Sequence, residues 1–161
     1  MEMWELVARE RIRDSMALYN WSGDAYRLED LTRAFTEDGE LEVRGETPYK
    51  GRAAIMEFLG GIRGSGSSED ARDALKTAAA ASGIKRIVRH NIANLRFVEL
   101  TPTQAKVSCY FTVFTEIGLD HYGRYRDTFV PEGEQWLLRH RFVSTDWRAE
   151  GSTMASADSV K

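Results

Sequence analysis

Apolar residues near the amino terminus recur mostly at steps of three and four residues. Within residues 4–19 they are Trp4, Val7, Ile12, Met16 and Tyr19, with charged residues between them. This spacing is typical of an amphipathic helix that buries one stripe. The turn-forming residues that follow, Asn-Trp-Ser-Gly-Asp at 20–24, predict that this helix ends before them.

Shorter helical patterns continue to residue 81. A second helix is predicted at about 27–36, ended by residues 36–39, and residues 40–43 alternate like a short strand. A third helix is predicted over 52–62. A Gly/Ser-rich loop at 64–68 then precedes an alanine-rich helix at 69–81. This stretch is interpreted equally as a lid over a pocket or as a surface insertion against another subunit.

The pattern changes to a strand type from residue 84. Four long segments rich in β-branched and aromatic residues occupy 84–98, 104–117, 121–130 and 134–147, separated by short turns. They predict an antiparallel meander. Helices followed by a meander indicate an α+β domain, in which a strongly curved antiparallel sheet packs against the N-terminal helices and encloses a pocket.

Composition narrows the classes of function. The 161 residues are 42% hydrophobic and 29% charged, with a net charge of −3. These values predict one globular domain and argue against a nucleic-acid partner. Cys109 is the single cysteine, so no intrachain disulfide is possible.

The start of the chain lacks the apolar segment of a signal peptide, and no apolar run is long enough for a membrane span. We therefore predict a cytoplasmic protein without membrane contact.

Six short motifs, in this order and spacing, resemble the SnoaL-like branch of the nuclear transport factor 2-like superfamily. They are Tyr19 with Asp24; Leu31, Phe35 and Asp38-Gly39; Gly51-Arg52 with Ile55; Arg89-His90; Gly123-Arg124-Tyr125 with Asp127; and Trp136, Arg141 and Asp146. That family includes scytalone dehydratase, bile-acid dehydratase, a dehydrochlorinase, polyketide cyclases and ketosteroid isomerase. It also includes small subunits of ring-hydroxylating dioxygenases that have no catalytic role.

The resemblance implies a cone-shaped α+β barrel over residues 1–148, followed by a flexible tail at 149–161. It implies a small-molecule substrate and a homo-oligomer, dimer or trimer, built on the face of the sheet. It also implies chemistry without a cofactor or metal. The fold alone does not name the reaction, because one fold carries many functions.

Asp24 and His90 are the residues that the resemblance assigns to catalysis. His90 matches the histidine that pairs with the aspartate in the dehydratases, and an imidazole exchanges a proton near neutral pH. A carboxylate bonded to its other nitrogen holds the tautomer and stabilises the cation. The alternatives are a turn aspartate before the second helix and a half-buried histidine with a satisfied partner. His121, beside a turn, and His140, next to Arg141 on a strand, have weaker claims.

Tyr19 and Arg141 are candidates for stabilising an oxyanion. Further aromatic residues are candidates for lining the pocket. Tyr19 is as readily a core tyrosine, and Arg141 is alternatively a salt-bridge partner of Asp127. The predicted pocket residues are Trp21, Tyr49, Phe58, Tyr110 and Tyr125.

The predicted reaction is a cofactor-independent lyase or isomerase step, in which His90 takes a proton next to a carbonyl of a mostly apolar steroid, polyketide or aromatic metabolite. Two rivals remain open. One is a non-catalytic binding or oligomerisation subunit. The other is an epoxide or ester hydrolase that uses Asp24 with Arg141.

Overall fold

The computed structural model describes residues 1–62 and 87–152. Its helices are α1 (Met3–Asp24), α2 (Leu28–Thr32) and α3 (Arg52–Ile62). Its strands are β1 (Phe35–Val43), β2 (Tyr49–Lys50), β3 (Val88–Leu100), β4 (Ala105–Thr115), β5 (Gly118–Glu132) and β6 (Gln135–Arg148). The helix predicted at 69–81 lies outside the described residues.

The six strands form one curved, unclosed sheet in the order β2-β1-β6-β5-β4-β3. Strands β3 to β6 pair antiparallel with their neighbours in sequence, which confirms the predicted meander. The first strand differs from the expectation of a wholly antiparallel sheet, because β1 pairs parallel with β6. Parallel neighbours cannot be joined by a tight hairpin, and β1 and β6 are separated along the chain by β2, α3 and β3 to β5.

Helix α1 continues through residues 20–24, which were predicted to form a turn after residue 19. Asn20 and Ser22 are buried, and a Cβ added to Gly23 would lie 3.1 Å from the Leu31 side chain of α2. The last turn of α1 is therefore packed against α2. This tertiary contact outweighs the weak local preference of these residues for a turn.

Helix α2 is shorter than the predicted 27–36, and Phe35 belongs to β1. The Ala34 carbonyl accepts a hydrogen bond from the Leu138 amide at 2.8 Å, and Phe35 is fully buried opposite Leu138. The Arg52 side chain donates to the Phe35 carbonyl at 2.6 and 3.0 Å. Pairing with β6 therefore takes the backbone groups that a longer helix would have used.

The side of the sheet that faces α1 holds the core. Alternate residues of β4 are buried, namely Ala105, Val107, Cys109, Phe111, Val113 and Thr115, while those between them are half-buried or exposed. The same side of β5 and β6 carries Tyr125, Phe129 and Leu138, and α1 covers it with Ile12, Met16 and Tyr19. The inner face of the sheet is therefore apolar, which makes polar groups on it conspicuous.

Candidate active site

The end of α1 and the beginning of β3 meet through Asp24 and His90. The Asp24 Oδ1 atom lies 2.6 Å from His90 Nδ1, and Oδ2 accepts the His90 backbone N–H at 3.0 Å. Both side chains are largely buried, at 13% and 20% exposure. An ionised carboxylate can only accept, so in a neutral His90 the Nδ1 atom carries the hydrogen and Nε2 keeps the lone pair that can accept a proton.

The position of Asp24 has an electrostatic cost that His90 offsets. Asp24 is the last residue of α1, where the helix dipole places partial negative charge, so a carboxylate is unfavourable there by about 0.3–1 kcal/mol. Strand β3 lies at the edge of the sheet, and its outward-facing amide at His90 donates to Asp24 instead of to a further strand. The pair therefore joins the end of α1 to the edge strand of the sheet through both the side chain and the backbone of His90.

A second histidine lies on the same face of the sheet. His90 is opposite Val113 in the β3–β4 pair, and Val113 is opposite His121 in the β4–β5 pair. Residues directly opposite each other in antiparallel strands share a face, so all three lie in one row. Two strand spacings separate the backbones of the two histidines by about 10 Å.

Asp120 faces inwards beside His121 because of a β-bulge. Val113 pairs with His121 and Phe114 pairs with Leu119, which leaves Asp120 as an extra residue in β5. An extra residue interrupts the alternation of a strand and re-aims its side chains. Asp120 and His121 are consequently both buried, at 1% and 7% exposure.

Asp120 and His121 form a second carboxylate–imidazole pair. The Asp120 Oδ1 atom lies 2.6 Å from His121 Nδ1 and accepts the Ser152 hydroxyl at 2.6 Å. The Thr115 hydroxyl donates to Oδ2 at 3.0 Å. The geometry at His121 Nδ1 matches that at His90, so the Nε2 atom of His121 is again the nitrogen left for a ligand.

The burial of the second pair moves both of its pKa values. Burial lowers the pKa of His121, and the nearby His90 adds to this, whereas the Asp120 carboxylate opposes it; the net pKa is below the usual 6.5. Burial raises the pKa of Asp120, but hydrogen bonds from Ser152, His121 and Thr115 outweigh it and leave the pKa below its usual value. At neutral pH, the pair is therefore an ionised Asp120 beside a neutral His121.

Sequence reasoning missed this second pair. Adjacent residues in a regular strand point to opposite faces, so Asp120-His121 beside a turn did not suggest an inward-facing dyad. The signal present in the sequence was the neighbouring Gly123. A Cβ there would lie 2.0 Å from the Ser144 carbonyl oxygen and 2.9 Å from the Phe111 ring, which packs edge-on against His121 at 5.8 Å.

Arg141 is placed as a buried structural cation. Its side chain is fully buried and makes two hydrogen bonds to Asp127, at 2.9 and 2.7 Å. Its guanidinium carbon lies 4.2 Å from the Tyr19 ring centroid and 4.1 Å from that of Tyr125. Burial lowers the pKa of Arg141, but Asp127 outweighs it and the net pKa rises. This is the alternative salt bridge, and it uses the Nε and Nη2 atoms of Arg141. The Nη1 atom is buried without a hydrogen-bond partner, so the role of Arg141 toward a substrate stays a prediction.

Tyr19 belongs to the same buried group and not to the Asp24–His90 pair. It is 8% exposed, and its ring packs edge-on against Phe35 and Tyr125 at 5.9 and 6.5 Å. Burial raises the pKa of Tyr19, although the Arg141 charge partly opposes this. The contacts described for Tyr19 are with Phe35, Tyr125 and Arg141, and its role as an oxyanion donor stays a prediction.

The predicted pocket residues divide between the two faces of the sheet. Tyr125 is buried on the inner face, where it stacks on Phe111 at 4.5 Å, and Tyr49 stacks on Phe58 at 3.9 Å at the edge of the core. Tyr110 is 53% exposed because the alternation of β4 puts it on the outer face. Trp21 is 74% exposed on the surface of α1. Tyr110 and Trp21 therefore do not line the inner face.

His140 points away from this row. Its Nε2 atom lies 2.9 Å from Glu42, and both residues line a shallow groove on the outer face of the sheet. The alternation of β6 explains this placement, because Arg141 next to it is buried on the inner face. The histidines are thus two on the inner face and one on the outer face.

The described ranges 1–62 and 87–152 contain neither a candidate metal site nor a helix that could span a membrane. There, no group of three or more His, Cys, Asp or Glu side chains could hold a metal ion. Within the same ranges, none of the helices combines the length and the apolar character that crossing a membrane requires.

The chain matches the model of a known protein family. The model of the SnoaL-like domain matches residues 4–142. The chain belongs to this family. The matched residues run from α1 into β6 and include both carboxylate–imidazole pairs. No curated protein sequence matches the chain significantly.

Solved structures show the same fold. A candidate scytalone dehydratase from Novosphingobium aromaticivorans is 23% identical, with a TM-score of 0.69 over 91% of this chain and 89% of that chain. A nuclear transport factor 2-like protein with a cystatin-like fold from the same organism is 25% identical, with a TM-score of 0.67 over 93% and 87%. The β subunit of a candidate aromatic-ring-hydroxylating dioxygenase, also from that organism, is 18% identical, with a TM-score of 0.65 over 96% and 98%. The fold is thus shared by proteins named for different functions.

Proposed function

We propose that this SnoaL-like protein is a cofactor-independent lyase or isomerase that moves a proton with the Asp24–His90 pair. The observation that carries the proposal is the 2.6 Å contact between Asp24 Oδ1 and His90 Nδ1, which leaves His90 Nε2 as the base. The substrate class is a small, mostly apolar metabolite with one or two oxygens, such as a steroid, polyketide or aromatic compound. The apolar inner face of the sheet supports that class.

In the proposed step, His90 Nε2 takes a proton from carbon next to a carbonyl, and Asp24 stabilises the resulting imidazolium. The electrons of the C–H bond move into the carbonyl to form an enolate. Protonated His90 then returns its proton either to a leaving hydroxyl, which departs as water, or to another carbon. The first course gives a dehydratase and the second an isomerase.

The second pair supports a positioning role beside this base. Because burial lowers the pKa of His121, its imidazole is neutral near neutral pH and its Nε2 atom accepts a hydrogen bond. A substrate hydroxyl group is the matching donor. In this proposal, His121 orients an oxygenated substrate from two strands away while His90 does the proton transfer.

The hydrolase alternative has less support. It needed Arg141 beside Asp24, but Arg141 is fully buried and held by Asp127. The non-catalytic alternative shares the fold of the dioxygenase β subunit. It offers no physical reason for two buried carboxylate–imidazole pairs on one apolar face, so we favour the enzyme.

The experiment uses an aromatic β-hydroxy ketone that gains ultraviolet absorbance when it loses water. The same probe reports proton abstraction by deuterium uptake from D2O next to its carbonyl. We expect His90→Gln to lower both rates by about 10²- to 10⁴-fold, the usual contribution of a general base. Asp24→Asn should lower them less. His140→Gln on the outer face is the matched control and should leave both rates unchanged. Wild-type rates in a His90→Gln variant would contradict the role of His90 as the base. No reaction of the wild type with a panel of such ketones would contradict the proposed activity.

We also propose that a second copy of the chain covers the outer face of the sheet. Exposed aromatic side chains gather there: Tyr122 and Trp147 stack at 5.5 Å, and Tyr110 and Phe114 are 53% and 44% exposed on β4. An apolar surface of this kind is typical of an interface. Sedimentation velocity should give a mass of two or three chains, and Tyr110→Glu with Tyr122→Glu should reduce it to one. A monomeric wild type at micromolar concentration would contradict this.

A further inference from the structure

The Asp120 carboxylate is held by three hydroxyl or imidazole groups. Ser152 and His121 both bond to its Oδ1 atom at 2.6 Å, and Thr115 bonds to Oδ2 at 3.0 Å. Asp120 is 1% exposed, so the described protein groups, and not bulk water, determine how its two oxygens are arranged. A carboxylate oxygen offers two lone pairs, and the Oδ1 atom uses them for these two donors.

The segment that carries Ser152 is attached to Asp120 through its backbone as well. The Ala149 amide donates to the Asp120 carbonyl at 2.7 Å, and the Ser152 amide donates to the Ala149 carbonyl at 3.1 Å. Residues 149–152 thus make a turn that ends with the Ser152 hydroxyl on the carboxylate. The sequence predicted a flexible tail from residue 149. Ala149 and Ser152, at the start of that segment, form hydrogen bonds with Asp120 of the second pair.

We propose that Ser152 is a positioning residue for His121 and acts through the Asp120 carboxylate. Ser152 and Thr115 hold opposite oxygens of Asp120, so the carboxylate cannot rotate, and His121 Nδ1 is left one defined acceptor. The imidazole ring is rigid, so the hydrogen bond between His121 Nδ1 and Asp120 also determines the direction in which Nε2 points. The role of His121 toward a substrate rests on the proposed function, but the positioning of its ring by Ser152 does not.

The loss of the Ser152 hydroxyl should shift the pKa of Asp120 and the titration midpoint of His121 in a predictable direction. The hydroxyl is the largest of the hydrogen-bond contributions that lower the pKa of Asp120 against the effect of burial. Without it, the carboxylate is more basic and its Oδ1 atom has only His121 as donor. The His121 imidazolium is then held more strongly, so the His121 titration midpoint moves to higher pH. The other charged group known to act on His121 is His90, and Ser152→Ala leaves it unchanged.

The test compares Ser152→Ala, Ser152→Thr and Ser108→Ala in the full-length protein. Ser108 is a half-buried serine that lines the outer groove and serves as the control. NMR titration of the His121 ring should show a higher midpoint in Ser152→Ala, the wild-type midpoint in Ser152→Thr, and no change in Ser108→Ala. If Ser152→Ala does not fold, Ser152→Gly removes the same hydroxyl and carries the same expectation.

The rate measurement separates this inference from the proposed function. With the β-hydroxy ketone, Ser152→Ala should lower the rate about two- to ten-fold, the equivalent of one hydrogen bond, and Ser152→Thr should restore it. An unchanged His121 midpoint in Ser152→Ala would overturn the inference, even if the wild type turns the ketone over. A shifted midpoint in a protein that turns nothing over would support the positioning role and contradict the proposed function.

Discussion

Asp24 and His90 are 66 residues apart and come from a helix and an edge strand, whereas Asp120 and His121 are neighbours in one strand. Both pairs nevertheless have the same 2.6 Å contact between a carboxylate oxygen and Nδ1. The first pair depends on how α1 docks against β3. The second depends on one extra residue in β5. The same chemical unit can therefore be built by tertiary docking or by a local irregularity of a strand.

The pairs also differ in their surroundings. Asp24 accepts two hydrogen bonds, both from His90, and its side chain is 13% exposed. Asp120 accepts from three different residues and its side chain is 1% exposed. The more exposed pair suits proton exchange with a substrate, and the enclosed pair suits a fixed orientation.

The largest expected effect comes from Gly123→Ala, which disturbs the strands that hold the second pair. The added Cβ would lie 2.0 Å from the Ser144 carbonyl oxygen and 2.8 Å from the Thr145 Cα atom, and backbone atoms of β6 cannot move aside without separating the strands. We expect the free energy of unfolding in urea to fall by about 3 kcal/mol or more. Gly61→Ala in α3, where nothing lies within 4 Å, is the control and should be neutral or stabilising. Similar stabilities of the two variants would contradict the close approach of β5 and β6.

The next largest effect is on the free energy of unfolding when each of the two carboxylates is removed in turn. Asp120→Ala leaves the donors of His121, Ser152 and Thr115 without their acceptor in a buried place, and should lower the free energy of unfolding by about 3 kcal/mol. Asp24→Ala should lower it by only about 1 kcal/mol, because water reaches that site and an unfavourable charge leaves the end of α1. Urea denaturation at pH 7 measures both, and a loss for Asp24→Ala as large as that for Asp120→Ala would remove the distinction.

The smallest effect is on the pH dependence of stability. Burial lowers the pKa of His121 below its ordinary value of 6.5, so the unfolded chain binds the proton more readily than the folded protein. The contribution of His121 to stability is therefore fully present above about pH 6.5 and is lost as the pH falls toward the lower, folded-state pKa. In urea denaturation between pH 7 and 5, His121→Gln should lose less stability than the wild type does. Equal losses would show that burial does not hold His121 neutral.

Local patterns carried the prediction of the scaffold. The three- and four-residue spacing of apolar residues predicted α1 and α3, and the alternating segments after residue 84 predicted the meander of β3 to β6. The pairing of Asp24 with His90 came from a family resemblance and not from spacing. The structure brings these residues together, whereas Arg141 and Tyr19 lie in a separate buried group with Asp127.

What the sequence determined by itself was therefore the class of the fold, the order of α1, α3 and the meander of β3 to β6, and the identity of the polar residues available to them. Tertiary structure alone decided where α1 ends, that β1 runs parallel to β6, and that Asp120 and His121 both face inwards. The physical reason is the separation along the chain over which each kind of contact acts. Periodicity reports which side of an element is apolar, but helix ends, strand partners and bulges are set by contacts with residues far away in the chain.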